Sequence, residues 1–339
     1  MQSAVELSSW TSTKTVPGAK VFVAMVVLCT IAAAAFASWL PLTVSIVTLF
    51  LFAGPHNWFE LRYFLMRLPV RFGRSRNFFI TAFAGLGVLT AVYIALPIVY
   101  NAGVWNEDAG AIVIASWNTA LLVWIGALVW LRRKQKTRAN WAWLMPLGLV
   151  LCSLNWLGPD LFSLAIVYVH PLIALWFLDR HLRRTRPEWS SAYRRCLCLL
   201  PFLLAGMIWQ LSQTSSLSDN NGLFWRITQH SGAELLPQVS SHMLVSVHLF
   251  LEILHYAVWI VALPLIGSTS RFWDVKTVPV ARHPKGFPRL IAAVFVVGLL
   301  VVAALWFGFS IDYATTRDVY FTVAIAHVLA EAPFLLRMV

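Results

Sequence analysis

Residues 106–138 read NEDAGAIVIASWNTALLVWIGALVWLRRKQKTR. Glu107 and Asp108 stand at one end, Arg132, Arg133, Lys134, Lys136 and Arg138 at the other, and no charge lies between Gly110 and Leu131. At about 1.5 Å per residue, a helix over such a stretch matches a hydrocarbon layer of roughly 30 Å. The asymmetry of its ends gives a direction. Basic residues collect on the cytoplasmic side of a membrane, so this span runs from outside to inside.

The same pattern extends in both directions. Ten spans are expected, over 21–40, 42–65, 78–100, 110–131, 141–157, 160–181, 195–211, 237–267, 289–310 and 314–337. The fifth is short, and the eighth is long enough to tilt or project. Basic linkers follow the second (Arg67, Arg71, Arg74, Arg76), the fourth, the sixth (Arg180 to Arg195) and the eighth (Arg271, Lys276, Arg282, Lys285, Arg289). The alternate linkers are neutral or acidic, including the Ser/Asn-rich 212–236. Of 26 Lys and Arg, only Arg226 and Arg317 fall on the outer side. The expected fold is therefore all-α, a polytopic integral membrane bundle with both termini cytoplasmic. Residues 1–20 form a polar N-terminal segment, residues 21–339 form one transmembrane domain, and the first helix serves as the insertion signal in place of a cleavable signal peptide. A bacterial cytoplasmic membrane is the expected location.

Composition excludes a soluble globular class, with 59% hydrophobic and 12% charged residues and a mean hydropathy of +0.73. The net charge of +12 needs no nucleic acid, because topogenic charge beside anionic headgroups accounts for it. Arg62 and Arg67 are expected to snorkel to the inner interface. Trp39, Trp105, Trp141, Trp189, Trp225 and Trp273 suit interfacial positions. Cys29, Cys152, Cys196 and Cys198 make no metal or haem motif.

Chemistry is sought among the polar groups that cost most inside a membrane. His181, His230 and His283 fall in or beside loops, and His242 lies near an outer end. His56, His170, His248, His255 and His327 lie deep. By helical rise, His170 and His327 sit near the middles of their spans and His56 and His255 about 5 Å inward of theirs. Four parallel helices thus place a histidine in one layer, and His248 lies two turns outward of His255. Glu60, Glu252 and Glu331 each follow a histidine by four residues, on the same helix face. The set suits a metal held by His56, His170, His255 and His327, with His248 as substitute ligand or pocket residue. Glu60, Glu252 and Glu331 would orient ligands, preferably on neighbouring helices, or shuttle protons. Pro55 and Pro171 are expected to kink helices beside two of these ligands.

Imidazole serves iron, copper and zinc alike. No His-Glu-x-x-His occurs, and Glu252-x-x-His255 is the only Glu-x-x-His copy, against the two a di-iron bundle needs. Non-haem iron fits best, and haem b between two histidines stays open. Gly54-Pro55-His56, with Glu60 four residues on, resembles the Brp/Blh family of membrane carotenoid-cleaving dioxygenases. In that family Pro-His-Gly is followed by Asp at the same offset; here Asn57 and Glu60 take those places. The resemblance implies a retinal-forming, iron-dependent oxygenase fold, with His56 as a metal ligand. Expected partners are the lipid bilayer and an apolar small molecule. The functional expectation is an oxygenase or oxidoreductase acting on an apolar lipid, isoprenoid or carotenoid. The alternatives are a proton-coupled transporter using the same residues and a b-type haem electron-transfer protein.

Overall fold

The computed structural model describes residues 18–103, 107–135, 141–218, 222–266, 274–284 and 286–338. Residues 1–17, Trp105, Lys136, Arg138, Arg271, Trp273 and Lys285, which entered the charge and interface expectations, lie outside the described residues. In order, the helices are α1 Ala19–Trp39, α2 Pro41–Arg67, α3 Arg76–Asn101, α4 Glu107–Gln135, α5 Leu144–Leu157, α6 Pro159–Thr185, α7 Pro187–Leu197 and α8 Leu200–Leu211. They continue as α9 Gly222–His230, α10 Ser241–Tyr256, α11 Leu263–Ile266, α12 Pro279–Arg282, α13 Pro288–Ile311 and α14 Tyr313–Met338. No strand occurs among the described residues.

Nine helical stretches among the described residues are long and apolar enough to cross a membrane. Their outward faces match: Trp209 is 84% and Phe202 76% exposed. A contiguous apolar surface of this kind is incompatible with water and suits lipid. Prolines Pro41, Pro159, Pro187 and Pro288 open α2, α6, α7 and α13, where a fixed φ favours the first turn and the missing N–H is no loss.

At the core, α10 packs against α1, α2 and α6, while α14 packs against α3, α13 and α4. Phe64, Phe177, Trp259 and Phe334 fill the centre of the largest apolar cluster. Trp124 lies directly on Gly85 and donates to the Thr81 carbonyl at 2.9 Å; a Cβ at Gly85 would overlap the indole.

The basic end of the bundle does more than carry charge. Arg132 of α4 donates to the Leu336 and Arg337 carbonyls at 3.1 Å each. Arg337 in turn donates to the Arg67 carbonyl at 3.0 Å, and the Arg67 guanidinium lies 3.1 Å from His181 Nδ1. Carbonyls at helix C-termini lack intrahelical partners, and cations suit that end of the dipole.

Several expectations need correction. The fifth span is shorter than expected: α5 has 14 residues, about 21 Å at 1.5 Å per residue, and packs between α4 and α6. The seventh begins earlier and is broken: Pro187–Leu211 divides at Cys198–Leu199 into α7 and α8. α7 occupies the basic linker, where Arg194 holds Asp179 with two bonds of 2.8 and 2.9 Å. The eighth starts at Ser241 and contains a π-helical stretch, Ala257–Ala262. The outer linker 212–236 contains α9. Arg62 does not snorkel: it is buried and meets Thr277 Oγ1 at 3.5 Å. Trp141 and Trp189 are buried as well, Trp189 by stacking on Phe22 at 4.8 Å.

Candidate metal centre

Four helices that run toward the basic end bring one imidazole each into one cluster, although no single set of mutually close ligand atoms contains all four. His56 (α2), His255 (α10), His170 (α6) and His327 (α14) form a closed circuit. Successive ring centroids are 5.3, 4.7, 5.1 and 5.2 Å apart, and His255 and His327 face each other at 6.2 Å. The Nε2 atoms of His170 and His327 are 3.2 Å apart. Two nitrogens each about 2.1 Å from one shared ion stand about 3.0–3.5 Å apart when they are neighbouring ligands, so this spacing fits a metal.

The backbone helps to orient the rings. His56 Nδ1 donates to the Phe52 carbonyl at 3.0 Å, which leaves Nε2 as its ligand atom. His170 Nδ1 lies 3.1 Å from Glu331 Oε2 of a different helix, within ion-pair reach though its N–H does not point squarely at the oxygen. A carboxylate behind an imidazole raises its basicity and fixes its orientation.

Two overlapping sets of ligand atoms come within 4.8 Å of one another: His56, Glu60, His255 and His327, and His170, His255 and Glu331. Both contain a carboxylate, so Glu60 and Glu331 have direct access to an ion. Both are essentially fully buried, at 1% and 0% exposure. Neither carboxyl, and neither nitrogen of His255, has a hydrogen-bond partner among the described residues. Orphaned buried polar groups cost several kcal/mol each, and a cation coordinated by this set would offset that cost. The donor set therefore fits a metal ion.

Glu252 and His248 fall elsewhere, in neither ligand set. Glu252 accepts the Tyr256 hydroxyl at 2.6 Å, and Tyr256 packs its ring 4.5 Å from His56. Beyond it Asn57 Nδ2 donates to the Tyr320 hydroxyl at 3.2 Å. His248 contacts Tyr168 and His230, with ring centroids 5.5 and 5.2 Å away.

A cavity of about 220 Å³ opens onto the four histidines. Besides the histidines it is lined by Ile166, Val167, Ile325 and Val328, by Tyr93, Tyr256, Tyr320 and Thr322, and, at its far end, by His230, His248 and Glu252. A separate cavity of about 180 Å³ beside Phe22, Trp189 and Val258 is lined almost entirely by apolar groups and touches none of these histidines.

Two residues at the far end escaped the sequence reading. His230 looked like a loop histidine, yet it ends α9 and stacks on Phe321 at 4.0 Å; the apolar spacing of Leu223, Phe224 and Ile227 was the available signal for that helix. Arg317 counted only as an exception to the charge partition, yet it is 4% exposed. A lone cation early in an apolar helix was the signal there. Comparison of the chain with known protein families, with curated proteins and with solved structures finds no match.

Proposed function

We propose that this chain is a multi-pass membrane protein, with both termini cytoplasmic, that uses a metal ion at the four-histidine layer to oxidise an apolar lipid or isoprenoid. The observation that carries the reading is the closed circuit of four imidazoles from four helices, with the buried Glu60 and Glu331, neither of which has a hydrogen-bond partner among the described residues, beside it. His56, His170, His255 and His327 would hold the ion, and Glu60 and Glu331 are within reach of it. Non-haem iron is the metal of choice, since imidazole and carboxylate together suit it and the Gly54-Pro55-His56 resemblance points the same way. When bound, iron would supply the redox chemistry that turns dioxygen on a carbon chain.

The protein's own part is arrangement. Ile166, Val167, Ile325 and Val328 exclude water and receive an apolar chain. Glu331 orients His170, and the Phe52 carbonyl sets the tautomer of His56. A haem b suits the site less well, because imidazoles packed edge to face with Nε2 atoms 3.2 Å apart offer no slot for a porphyrin plane between them.

The test is elemental analysis and an absorption spectrum of gently purified protein, followed by turnover of an apolar polyene under oxygen. Stoichiometric iron with a product of oxidation is the expected result. Protein free of iron, copper, zinc and haem would overturn the reading. One rival has an observation of its own: the buried Glu60 and Glu331 continue from the histidine layer toward the basic end, as a proton path would. A proton-coupled transporter predicts no metal and loss of coupled transport in Glu60→Gln or Glu331→Gln. The topology has a separate test. In a background without native cysteines, Arg133→Cys and Lys276→Cys should resist an impermeant thiol reagent in intact cells, while Ser218→Cys reacts; the reverse pattern would invert the orientation.

A further inference from the structure

The cavity at the four histidines has a second polar end, built from residues that the metal reading does not use. His230, His248 and Glu252 line it. A smaller space of about 10 Å³, room for roughly one water, shares these three residues with it and adds Arg317. Arg317 is 4% exposed. It meets Asp318 with Nη1 and Oδ1 3.6 Å apart, and its guanidinium lies 4.7 Å from the Phe321 ring centre. His230 stacks on the same Phe321. An arginine and two imidazoles that line a space inside a membrane are costly to keep there unless something polar comes to meet them.

We propose that this outer end binds a neutral oxygen group, a hydroxyl or a ketone, at the terminus of an apolar chain whose body runs down to the four-histidine layer. Charge decides against the other candidates. Arg317 brings one positive charge, already met by Asp318, and Glu252 brings a further carboxylate, so the chamber holds no excess of positive charge. A carboxylate or phosphate entering it would face Glu252, and an ammonium would face Arg317. An uncharged oxygen accepts from the guanidinium or an imidazole N–H, and a hydroxyl can also donate to an imidazole nitrogen.

Geometry sets the length. His248 and His255 are seven residues apart on α10, about 10 Å along the axis. Arg317 and His327 are ten apart on α14, about 15 Å. The wall between the two ends has an apolar side, from Ile166, Val167, Ala324 and Ile325, and a side that carries the hydroxyls of Tyr256, Tyr320 and Thr322. The reacting carbon therefore lies about 10–15 Å from the polar terminus, and the outer end acts as the ruler that selects which carbon is presented. This ruler rests on the reading of the four-histidine layer as the reaction centre, whereas recognition of the oxygen group needs no metal.

The experiment compares farnesol, farnesene and farnesoic acid as ligands of the detergent-purified full chain, by native mass spectrometry and tryptophan quenching. Bound metal is measured on the same samples. Farnesol is expected to bind about tenfold more tightly than the hydrocarbon or the acid, since a site with unmet hydrogen-bonding groups rejects ligands that cannot satisfy them. In His248→Phe and in His230→Leu the three affinities should converge while metal content stays at the wild-type value. Equal affinities in the wild type would overturn the proposal without any variant, as would preference for farnesoic acid. A farnesol preference that survives in both variants would also overturn it. A farnesol preference in protein that never holds metal would remove the oxidative function and leave this site standing. Stoichiometric metal with no preference would do the reverse.

Discussion

Two buried polar clusters lie in the same bundle, and they are built on opposite principles. The first joins α4, α5 and α6. Asn118 Nδ2 donates to Asn155 Oδ1 at 2.8 Å and to Ser163 Oγ at 3.1 Å. Asn155 Nδ2 donates to the Ala115 carbonyl at 2.8 Å and to Thr119 Oγ1 at 3.2 Å. None of these side-chain atoms is left without a partner. The second is the His/Glu layer of α2, α6, α10 and α14, where Glu60, Glu331 and His255 are buried with unmet polar atoms. A polar cluster whose task is to hold helices together satisfies itself. One that does not leaves polar groups open to something from outside the chain, which is what the proposed metal would supply.

The sharpest way to break this contrast is His255→Ala. His255 belongs to both ligand sets, so its loss should remove bound metal almost completely, and turnover with it, while the protein still inserts and purifies as a monodisperse species. Elemental analysis checks this; retained stoichiometric metal would return His255 to a packing role. Glu331→Gln should act next most strongly. It weakens the support of His170 and one direct donor, and outer-sphere changes typically cost about 10–100-fold in metal affinity, readable by chelator competition.

Asn155→Leu tests the other cluster. Asn155 is fully buried, and removing it leaves Asn118 and the Ala115 carbonyl short of a partner, at about 1–2 kcal/mol. The melting temperature should fall with metal content unchanged. If Asn155→Leu removed metal, or if His255→Ala lowered only the melting temperature, the division of roles would collapse. The smallest effect belongs to Arg226→Ala. Arg226 pairs with Asp318 across two side chains that are about two-fifths exposed, so its loss should change stability by about 0–1 kcal/mol at most and leave metal binding alone.

The histidine layer was legible in the sequence because two constraints act together. The charge partition fixes where each span meets the interface, and the helical rise then converts residue number into depth. Rotation about each helix axis is not fixed that way, and there the three His–Glu pairs part company despite their common offset. Glu60 and Glu331 lie on the basic-end side of the layer and reach it. Glu252 lies on the opposite side, between His248 and His255, and is taken up by Tyr256. The depth of Glu252 follows from its pairing with the outer His248, whereas its capture by Tyr256 depends on the packing around α10. His230 and Arg317 were illegible for the same reason: each owes its burial to Phe321, nearly a hundred residues from one and a single turn from the other. The break at Cys198–Leu199 and the π-helical stretch of α10 also lay beyond a reading by hydropathy, which measures length and polarity but not backbone register.

Each ligand helix has an irregularity beside its contribution to the centre. Pro55 precedes His56, Pro171 follows His170, Pro333 stands two residues after Glu331, and the π-helical stretch Ala257–Ala262 begins two residues after His255. A proline removes one rung of the helix ladder, and a π turn widens it. Mechanically, the four helices are jointed rods, with the joints of α2 and α6 at the histidines and those of α10 and α14 displaced toward the basic end. Bending at a joint is softer than bending a continuous helix, so the imidazoles can close by a fraction of an ångström around an arriving ion while the two halves of each helix keep their own packing. The centre has the compliance of a chuck, and ions of somewhat different radius should be gripped with similar tightness.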